Sequence, residues 1–195
     1  MNHAEAANPT QIVVLGDSLS AGYLLPQDAA FPAQLEAALQ KKGYSLSISN
    51  AGVSGDTSSG GLARLDWSVP DGTDLVIVEL GANDMLRGVD PAVTSQAIET
   101  IVANLKKRNI AVLLAGMLAA PNLGEAYTKQ FNALYGTIAR KYGVPLYPFF
   151  LDGIAGDSRL NLSDGLHPTR EGVAVIVTRI LPMVEDLIRA LPQKN

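Results

Sequence analysis

The sequence predicts an α/β fold in which a five-stranded parallel sheet is covered by helices on both faces, forming a three-layer αβα sandwich. Short apolar runs alternate with longer segments of helical period, which is typical of successive βαβ units. The chain has 195 residues, 47% of them apolar and 17% charged, which is enough to bury one core. No linker, repeat or low-complexity tract interrupts it, so we expect a single domain over residues 11–190.

The predicted strands are short apolar runs. They cover residues 11–15, 45–49, 74–80, 110–115 and 144–148. Four helical segments separate or follow them, each with apolar residues three or four positions apart. One of these helices has a clear start, with Asp90 as the N-cap and Pro91 at the first helical position. The other three are centred on residues 31–39, 127–142 and 176–188.

Composition excludes several classes of partner. The net charge is −4 and the 15 Lys and Arg residues are scattered, so we expect no nucleic-acid partner. The longest apolar stretch, residues 110–120, is too short to span a membrane. The chain contains no cysteine and only two histidines, so we expect neither a metal nor another cofactor. A small molecule is the expected partner.

Residues 1–10 have a run of small residues but no apolar segment of a signal peptide. We interpret them as a flexible remnant of a processed leader, or as an artificial start of the chain. A removed leader would predict export to the periplasm or the medium, and the cytoplasm is the alternative.

Polar clusters occur where the predicted strands end. Gly16, Asp17 and Ser18 follow the first strand, residues 50–56 the second and residues 81–84 the third, and residues 164–167 precede the last helix. Because the carboxyl ends of parallel strands meet at one edge of the sheet, we expect these clusters to converge there.

Ser18, His167 and Asp164 are the residue types required for nucleophilic acyl transfer. A serine hydroxyl needs an imidazole to take its proton, and the imidazole needs a third group to orient it. His167 is the only histidine outside the N-terminal residues, and Asp164 is close enough in sequence to reach its Nδ1. Ser20 replaces the second glycine of a Gly-x-Ser-x-Gly elbow, so this is not an α/β-hydrolase nucleophile.

Two further clusters could stabilise a developing oxyanion. The side-chain amide of Asn83, placed after an apolar strand, is a suitable neutral donor. Gly52 and Gly55 would let the backbone of their loop approach a ligand closely. We interpret Asp17 and Asp84 as turn caps, and Glu79 as a buried charge that pairs with Arg64.

In this order, the clusters around Ser18, Gly52, Asn83 and His167 resemble the four conserved blocks of the SGNH (GDSL) hydrolase superfamily. The stretches at residues 14–23, 54–57 and 78–84 are similar to those of its bacterial multifunctional thioesterase, arylesterase and lysophospholipase group. The resemblance implies a flavodoxin-like SGNH hydrolase fold and metal-free hydrolysis of esters and thioesters. It also implies that Ser18 is the nucleophile, that Asp164 and His167 complete a triad, and that Ser18, Gly52 and Asn83 form the oxyanion hole.

We therefore predict a serine esterase for aryl and short- to medium-chain acyl esters, with acyl thioesters and lysophospholipids as further candidates. Pro121, Leu123 and Tyr127 are the predicted apolar wall of the acyl site. Compared with the fatty-acyl members of the group that it resembles, this stretch has Ala119 and Ala120 in place of bulkier residues, which disfavours long acyl chains. One alternative is a carbohydrate O-acetyl esterase of the same superfamily. The other is a non-catalytic flavodoxin-like binding domain, with Asp17 or Asp84 at an ion or phosphoryl site.

Overall fold

The computed structural model describes residues 9–192 and contains one five-stranded, entirely parallel sheet with the strand order β2-β1-β3-β4-β5. The predicted fold class is confirmed. All five strands lie at the predicted places, although the fifth is only two residues long. The strands are β1 (Thr10–Gly16), β2 (Leu46–Gly52), β3 (Leu75–Glu79), β4 (Ala111–Ala115) and β5 (Leu146–Tyr147). Of the predicted leader, residues 1–8 lie outside the described residues and Thr10 already belongs to β1.

Eight α-helices lie within the described residues, and the four long ones were predicted. The four short ones, of four to six residues, carry too little periodicity to be recognised in a sequence. Asp90 is the N-cap of α6, as expected, and accepts the N–H of Ala92 at 2.8 Å. The helices are α1 (Ser18–Ala21), α2 (Phe31–Lys41), α3 (Ser58–Ala63), α4 (Leu65–Ser68), α5 (Ala82–Leu86), α6 (Pro91–Lys107), α7 (Glu125–Tyr142) and α8 (Arg170–Ala190).

The helices form the two outer layers of the sandwich. Helix α2 packs beside α8, whereas α6 packs beside α3 and α7. All five residues of β3 are buried, as expected for a central parallel strand covered on both faces. Within residues 9–192, no helix is long and apolar enough to cross a membrane.

The strand order reverses between β1 and β3, and this reversal determines where a ligand can bind. From β1 the chain passes outward to β2 and returns to β3 on the other side of β1. At the carboxyl edge, Gly16 of β1 is in register with Gly52 of β2 and with Glu79 of β3. The loops that follow these three strands therefore open onto one crevice.

Candidate active site

Ser18 is the first residue of α1 and follows β1 after a tight turn. Asp17 is the N-cap of this helix, and its Oδ1 accepts the N–H of Leu19 at 3.0 Å. Gly16 leaves room for the turn, because a Cβ there would lie 2.8 Å from the backbone oxygen of Glu79. The turn places Ser18 at the edge of the sheet, where it is 8% exposed.

The loop that carries Asp164 and His167 is fixed by its own hydrogen bonds. Oδ1 of Asp164 accepts the backbone N–H of Leu166 at 2.9 Å and that of His167 at 3.0 Å. The carbonyl of His167 accepts the N–H of Leu162 at 2.7 Å. Thr169 then caps α8, so the loop is anchored on both sides.

The three side chains predicted as a triad lie in one hydrogen-bonded line. Nε2 of His167 lies 2.8 Å from Oγ of Ser18, although the two residues are 149 positions apart. Nδ1 of His167 lies 2.7 Å from Oδ2 of Asp164. With the proton on Nδ1, the imidazole donates to the carboxylate and accepts from the serine hydroxyl, as a general base must.

The pKa of Asp164 is lowered to about 2, chiefly because its carboxylate accepts the backbone N–H groups of His167 and Leu166 and also binds the imidazole. The carboxylate is therefore ionised throughout the neutral range. An ionised partner on Nδ1 favours the tautomer with a free Nε2 lone pair.

A cavity of about 230 Å3 opens beside Ser18 and His167. Its walls are mainly apolar, and its polar lining includes the side chain of Asn83. Such a chamber suits an acyl group whose carbonyl carbon faces the serine. The other lining residues are Leu19, Tyr23, Ser54, Gly55, Ala82, Met85, Leu86, Met117, Leu151 and Leu166.

The structure places Gly52, the glycine predicted for the oxyanion hole, and Gly55 differently relative to the cavity. Gly52 does not line the cavity, and its N–H donates to Oδ1 of Asn50 at 3.0 Å. A Cβ on Gly52 would lie 2.6 Å from the backbone nitrogen of Ala21, so this glycine allows α1 to approach β2. Gly55 lines the cavity instead, with a φ of +86° that favours glycine. Both glycines were visible in the sequence, but only the tertiary path distinguishes them.

Asn83, predicted as an oxyanion donor, lines the cavity, and its amide also binds two neighbouring segments. Nδ2 donates to the backbone oxygen of Asp56 at 3.0 Å and to Oδ2 of Asp17 at 3.2 Å. Asp17 therefore accepts from both the turn that carries Ser18 and the helix that carries Asn83. Asp84 is also structural, because it binds Ser58 and Thr94.

The predicted ion pair between Glu79 and Arg64 is wrong. Nε of Arg64 lies 2.6 Å from Oδ2 of Asp56, and its other nitrogens bind carbonyl oxygens, including that of Gly16 at 2.8 Å. Arg64 thus ties the ends of β1 and β2 to the loop after β2. Glu79 is fully buried, and within residues 9–192 its Oε1 has no hydrogen-bond partner.

Asp17 and Glu79 are two buried carboxyl groups at the turn that carries Ser18. The backbone N–H of Asp17 donates to Oε2 of Glu79 at 3.4 Å. Burial raises the pKa of Asp17 to about 6, against opposing hydrogen bonds from Leu19 and Asn83. Burial, together with the charge of Asp17, raises the pKa of Glu79 well above its usual range.

The residues predicted as the acyl wall do not line the cavity beside Ser18; they are Pro121, Leu123 and Tyr127. Pro121 and Leu123 belong to a 3-10 turn. Tyr127 donates its hydroxyl to the carbonyl of Val89 at 3.0 Å and stacks on Phe131. The residues that line the cavity come from the short helices α1 and α5 and from loops, none of which periodicity resolves. Residues 9–192 contain no cluster of three His, Cys, Asp or Glu residues able to hold a metal ion.

The chain is similar to proteins named as esterases or thioesterases, both in sequence and in structure. The chain is 36% identical over 185 residues to the esterase TesA of Pseudomonas aeruginosa, covering 94% of this chain and 92% of that protein. It is 38% identical over 184 residues to thioesterase 1/protease 1/lysophospholipase L1 of Escherichia coli K12, covering 94% and 87%. The crystal structure of the esterase EstA from Pseudoalteromonas, inhibited by monoethylphosphonate, matches with a TM-score of 0.86 at 30% identity, covering 92% and 99%.

A parallel α/β sheet with a serine, a histidine and an aspartate aligned at its carboxyl edge is an arrangement used by enzymes that hydrolyse acyl derivatives. The chain belongs to the GDSL-like lipase/acylhydrolase family, whose sequence model matches residues 14–175. It is an ester hydrolase, and the alternative of a non-catalytic binding domain is set aside.

Proposed function

We propose that the protein hydrolyses carboxylic esters through an acyl-enzyme intermediate on Ser18. The observation that carries this proposal is the line of hydrogen bonds of 2.8 Å and 2.7 Å that joins Ser18, His167 and Asp164 at an apolar cavity. In this mechanism His167 is the general base and acid, and Asp164 holds its Nδ1 proton.

In acylation, Oγ of Ser18 attacks the ester carbonyl carbon while its proton passes to Nε2 of His167. The tetrahedral intermediate collapses, the bond to the leaving oxygen or sulfur breaks, and the imidazolium returns its proton to that atom. Water then enters, gives a proton to His167 and attacks the acyl carbon. Collapse releases the carboxylic acid, and the same proton regenerates the Ser18 hydroxyl.

The oxyanion is best accommodated by the N–H groups of Ser18 and Gly55 together with the amide of Asn83. No oxygen of residues 9–192 accepts from the N–H of Ser18 or of Gly55. Asn83 would give the oxyanion one of its two N–H groups, most readily the one held by Asp17 at the longer distance of 3.2 Å. Each well-aimed donor is worth about 3 kcal/mol in the transition state.

The substrates we propose are aryl esters and esters of short to medium acyl chains, with acyl thioesters and lysophospholipids as further candidates. The mainly apolar cavity of about 230 Å3 favours a compact acyl group over an extended one. The same lining favours acyl chains over the O-acetylated sugar of the alternative hypothesis. Export remains a prediction, because the leader on which it depends falls largely outside the described residues.

The test combines covalent labelling with a series of p-nitrophenyl esters from acetate to palmitate. We expect an organophosphonate to add to Ser18, which mass spectrometry of the digest would locate, and we expect Ser18→Ala to lose both the adduct and turnover. Ser95→Ala, a matched change on α6, should retain both. Turnover that survives in Ser18→Ala, or an adduct on another residue, would refute the assignment.

A further inference from the structure

We propose that Tyr23 is a positioning residue that holds the imidazole of His167 from its ring face. The ring centroids of Tyr23 and His167 lie 4.4 Å apart, with an angle of 37° between the ring planes. This inference rests on the proposed role of His167 as base, and it adds a support that the two hydrogen bonds of the imidazole do not supply.

Those two hydrogen bonds restrain His167 only within its ring plane. Nδ1 is held by Asp164 and Nε2 by Ser18, and both bonds lie along the edge of the imidazole. Neither bond resists a tilt of the ring about the line that joins the two partners. A flat side chain against one face does resist that tilt. The site needs such a support, because the Asp164 side chain is 36% exposed and does not enclose the ring.

Tyr23 is well placed for this task because it belongs to the same turn as the nucleophile. Its backbone N–H donates to the carbonyl of Ser18 at 3.2 Å, and the N–H of Leu25 donates to the carbonyl of Gly22 at 2.9 Å. Gly22 has a φ of +85° and a Cβ there would lie 2.6 Å from the Cβ of Ala30, so the turn has little freedom. One rigid segment therefore carries both the serine and the ring that faces its base.

The exposure of Tyr23 indicates that core packing does not account for its position. The residue is 41% exposed, whereas the tyrosine of α7 that packs in the core, Tyr135, is 1% exposed. The electron-rich face of a phenol ring attracts cations, so the contact should strengthen when His167 accepts the proton of Ser18. The contact is then strongest during acylation, when His167 carries the proton of Ser18.

Proton NMR tests the contact without requiring turnover. The chain has only two histidines, so in a His3→Ala background the ring protons of His167 are the sole imidazole signals. We expect the ring current of Tyr23 to shift these signals upfield in the starting protein and in Tyr23→Phe. In Tyr23→Leu the upfield shift should disappear. Equal shifts in all three proteins would overturn the proposal.

Kinetics on the same variants then separates orientation of the base from contact with substrate. Tyr23→Leu should lower kcat about threefold to tenfold, and Tyr23→Phe should restore it. Leu24→Ala, in the same turn and 76% exposed, is the matched control and should retain full kcat. A loss confined to KM, or a loss in Tyr23→Phe equal to that in Tyr23→Leu, would contradict the positioning role. If Ser18 is not the nucleophile, the phosphonate experiment fails while the NMR result stands, so the two failures are distinguishable.

Discussion

The backbone N–H of Asp17 donates to Oε2 of Glu79 at 3.4 Å, which brings two buried carboxyl groups together beside the nucleophile. Arg64, the cation expected to neutralise this charge, pairs with Asp56 instead. Burial raises the pKa of both carboxyl groups. The folded protein therefore holds protons on these groups at a pH at which the unfolded chain has released them.

This relationship predicts that stability falls as the pH rises. A folded pKa of about 6 for Asp17, against 3.8 for the ordinary group, means that its contribution is lost between about pH 4 and 6. The pKa of Glu79 is also raised, which extends the loss to higher pH. Glu79→Gln removes a group that the fold keeps protonated, and it should stabilise the protein at pH 8 by about 1 to 3 kcal/mol, with a smaller gain at pH 4. Urea unfolding across this range measures the difference.

The matched control for this prediction is Glu99→Gln. Glu99 is a surface carboxylate whose pKa is lowered by its hydrogen bond to Lys141, so its linkage has the opposite sign. Its removal should bring no gain at pH 8. A Glu79→Gln protein that is less stable than the starting protein at every pH would show that Glu79 is ionised and satisfied in the fold.

The acid limb of the activity profile should not report the ionisation of Asp164. The pKa of Asp164 is about 2, so its carboxylate stays charged across any practical assay range. The general base has to be neutral to take the proton of Ser18, so kcat/KM should be higher at mildly alkaline than at acidic pH. An unchanged kcat/KM from pH 5 to 9 would contradict the role of an imidazole as general base.

Asp164→Asn should lower kcat by a factor on the order of 100 to 10,000 and leave the fold intact. The substituted amide can still accept the backbone N–H groups of Leu166 and His167 through its oxygen. Its NH2 group would then face Nδ1 and move the imidazole proton to Nε2, where Ser18 needs an acceptor. Steady-state kinetics and thermal unfolding measure the two effects, and near-normal kcat would exclude Asp164 as the orienting group.

Substitutions at two glycines test whether Gly55, as proposed, or Gly52, as the sequence predicted, donates to the oxyanion. Gly55→Ala should lower kcat about tenfold to a hundredfold, because its φ of +86° and the direction of its N–H depend on glycine. Gly52→Ala should mainly lower stability, by about 1 to 3 kcal/mol, because its Cβ would collide with the backbone of Ala21. Kinetics and thermal unfolding of both proteins provide the comparison.

Gly72→Ala controls for backbone strain in that experiment. Gly72 has a φ of +87° and open space around it, and it does not line the cavity. Alanine at this position is therefore strained to a similar degree without affecting the site. Its kcat should not change. If Gly52→Ala loses kcat at normal stability while Gly55→Ala remains active, the assignment reverts to Gly52.

Enlarging the cavity should move the preferred acyl chain to greater length. Met117 lines the cavity and is 3% exposed, so Met117→Ala would extend the chamber at a cost of about 2 to 5 kcal/mol in stability. We expect the chain length with the highest kcat/KM to increase by about three carbons, because the methionine side chain is longer than that of alanine by about three non-hydrogen atoms. Met183→Ala in α8, outside the cavity, should leave the preference unchanged. An unaltered preference in Met117→Ala would place the acyl group elsewhere.

The sequence by itself determined those features that depend on neighbours along the chain. Apolar runs such as residues 75–78 predict buried parallel strands because period and composition are local properties. Asp90 and Pro91 mark the start of α6 for the same reason. The pairing of Asp164 with His167 is also local, since the two residues are three positions apart. The backbone N–H of His167 also donates to Oδ1 of Asp164.

The tertiary structure alone decided every feature that depends on how distant segments pack. It places Gly55 but not Gly52 at the cavity. It also pairs Arg64 with Asp56 instead of Glu79. It also builds the cavity wall from Met117 and α5 and not from the 3-10 turn that follows β4. Periodicity reports which side of an element is buried but not which loop reaches a given point at the sheet edge. That choice depends on the summed packing of the whole chain, and so does the contact of Tyr23 with His167.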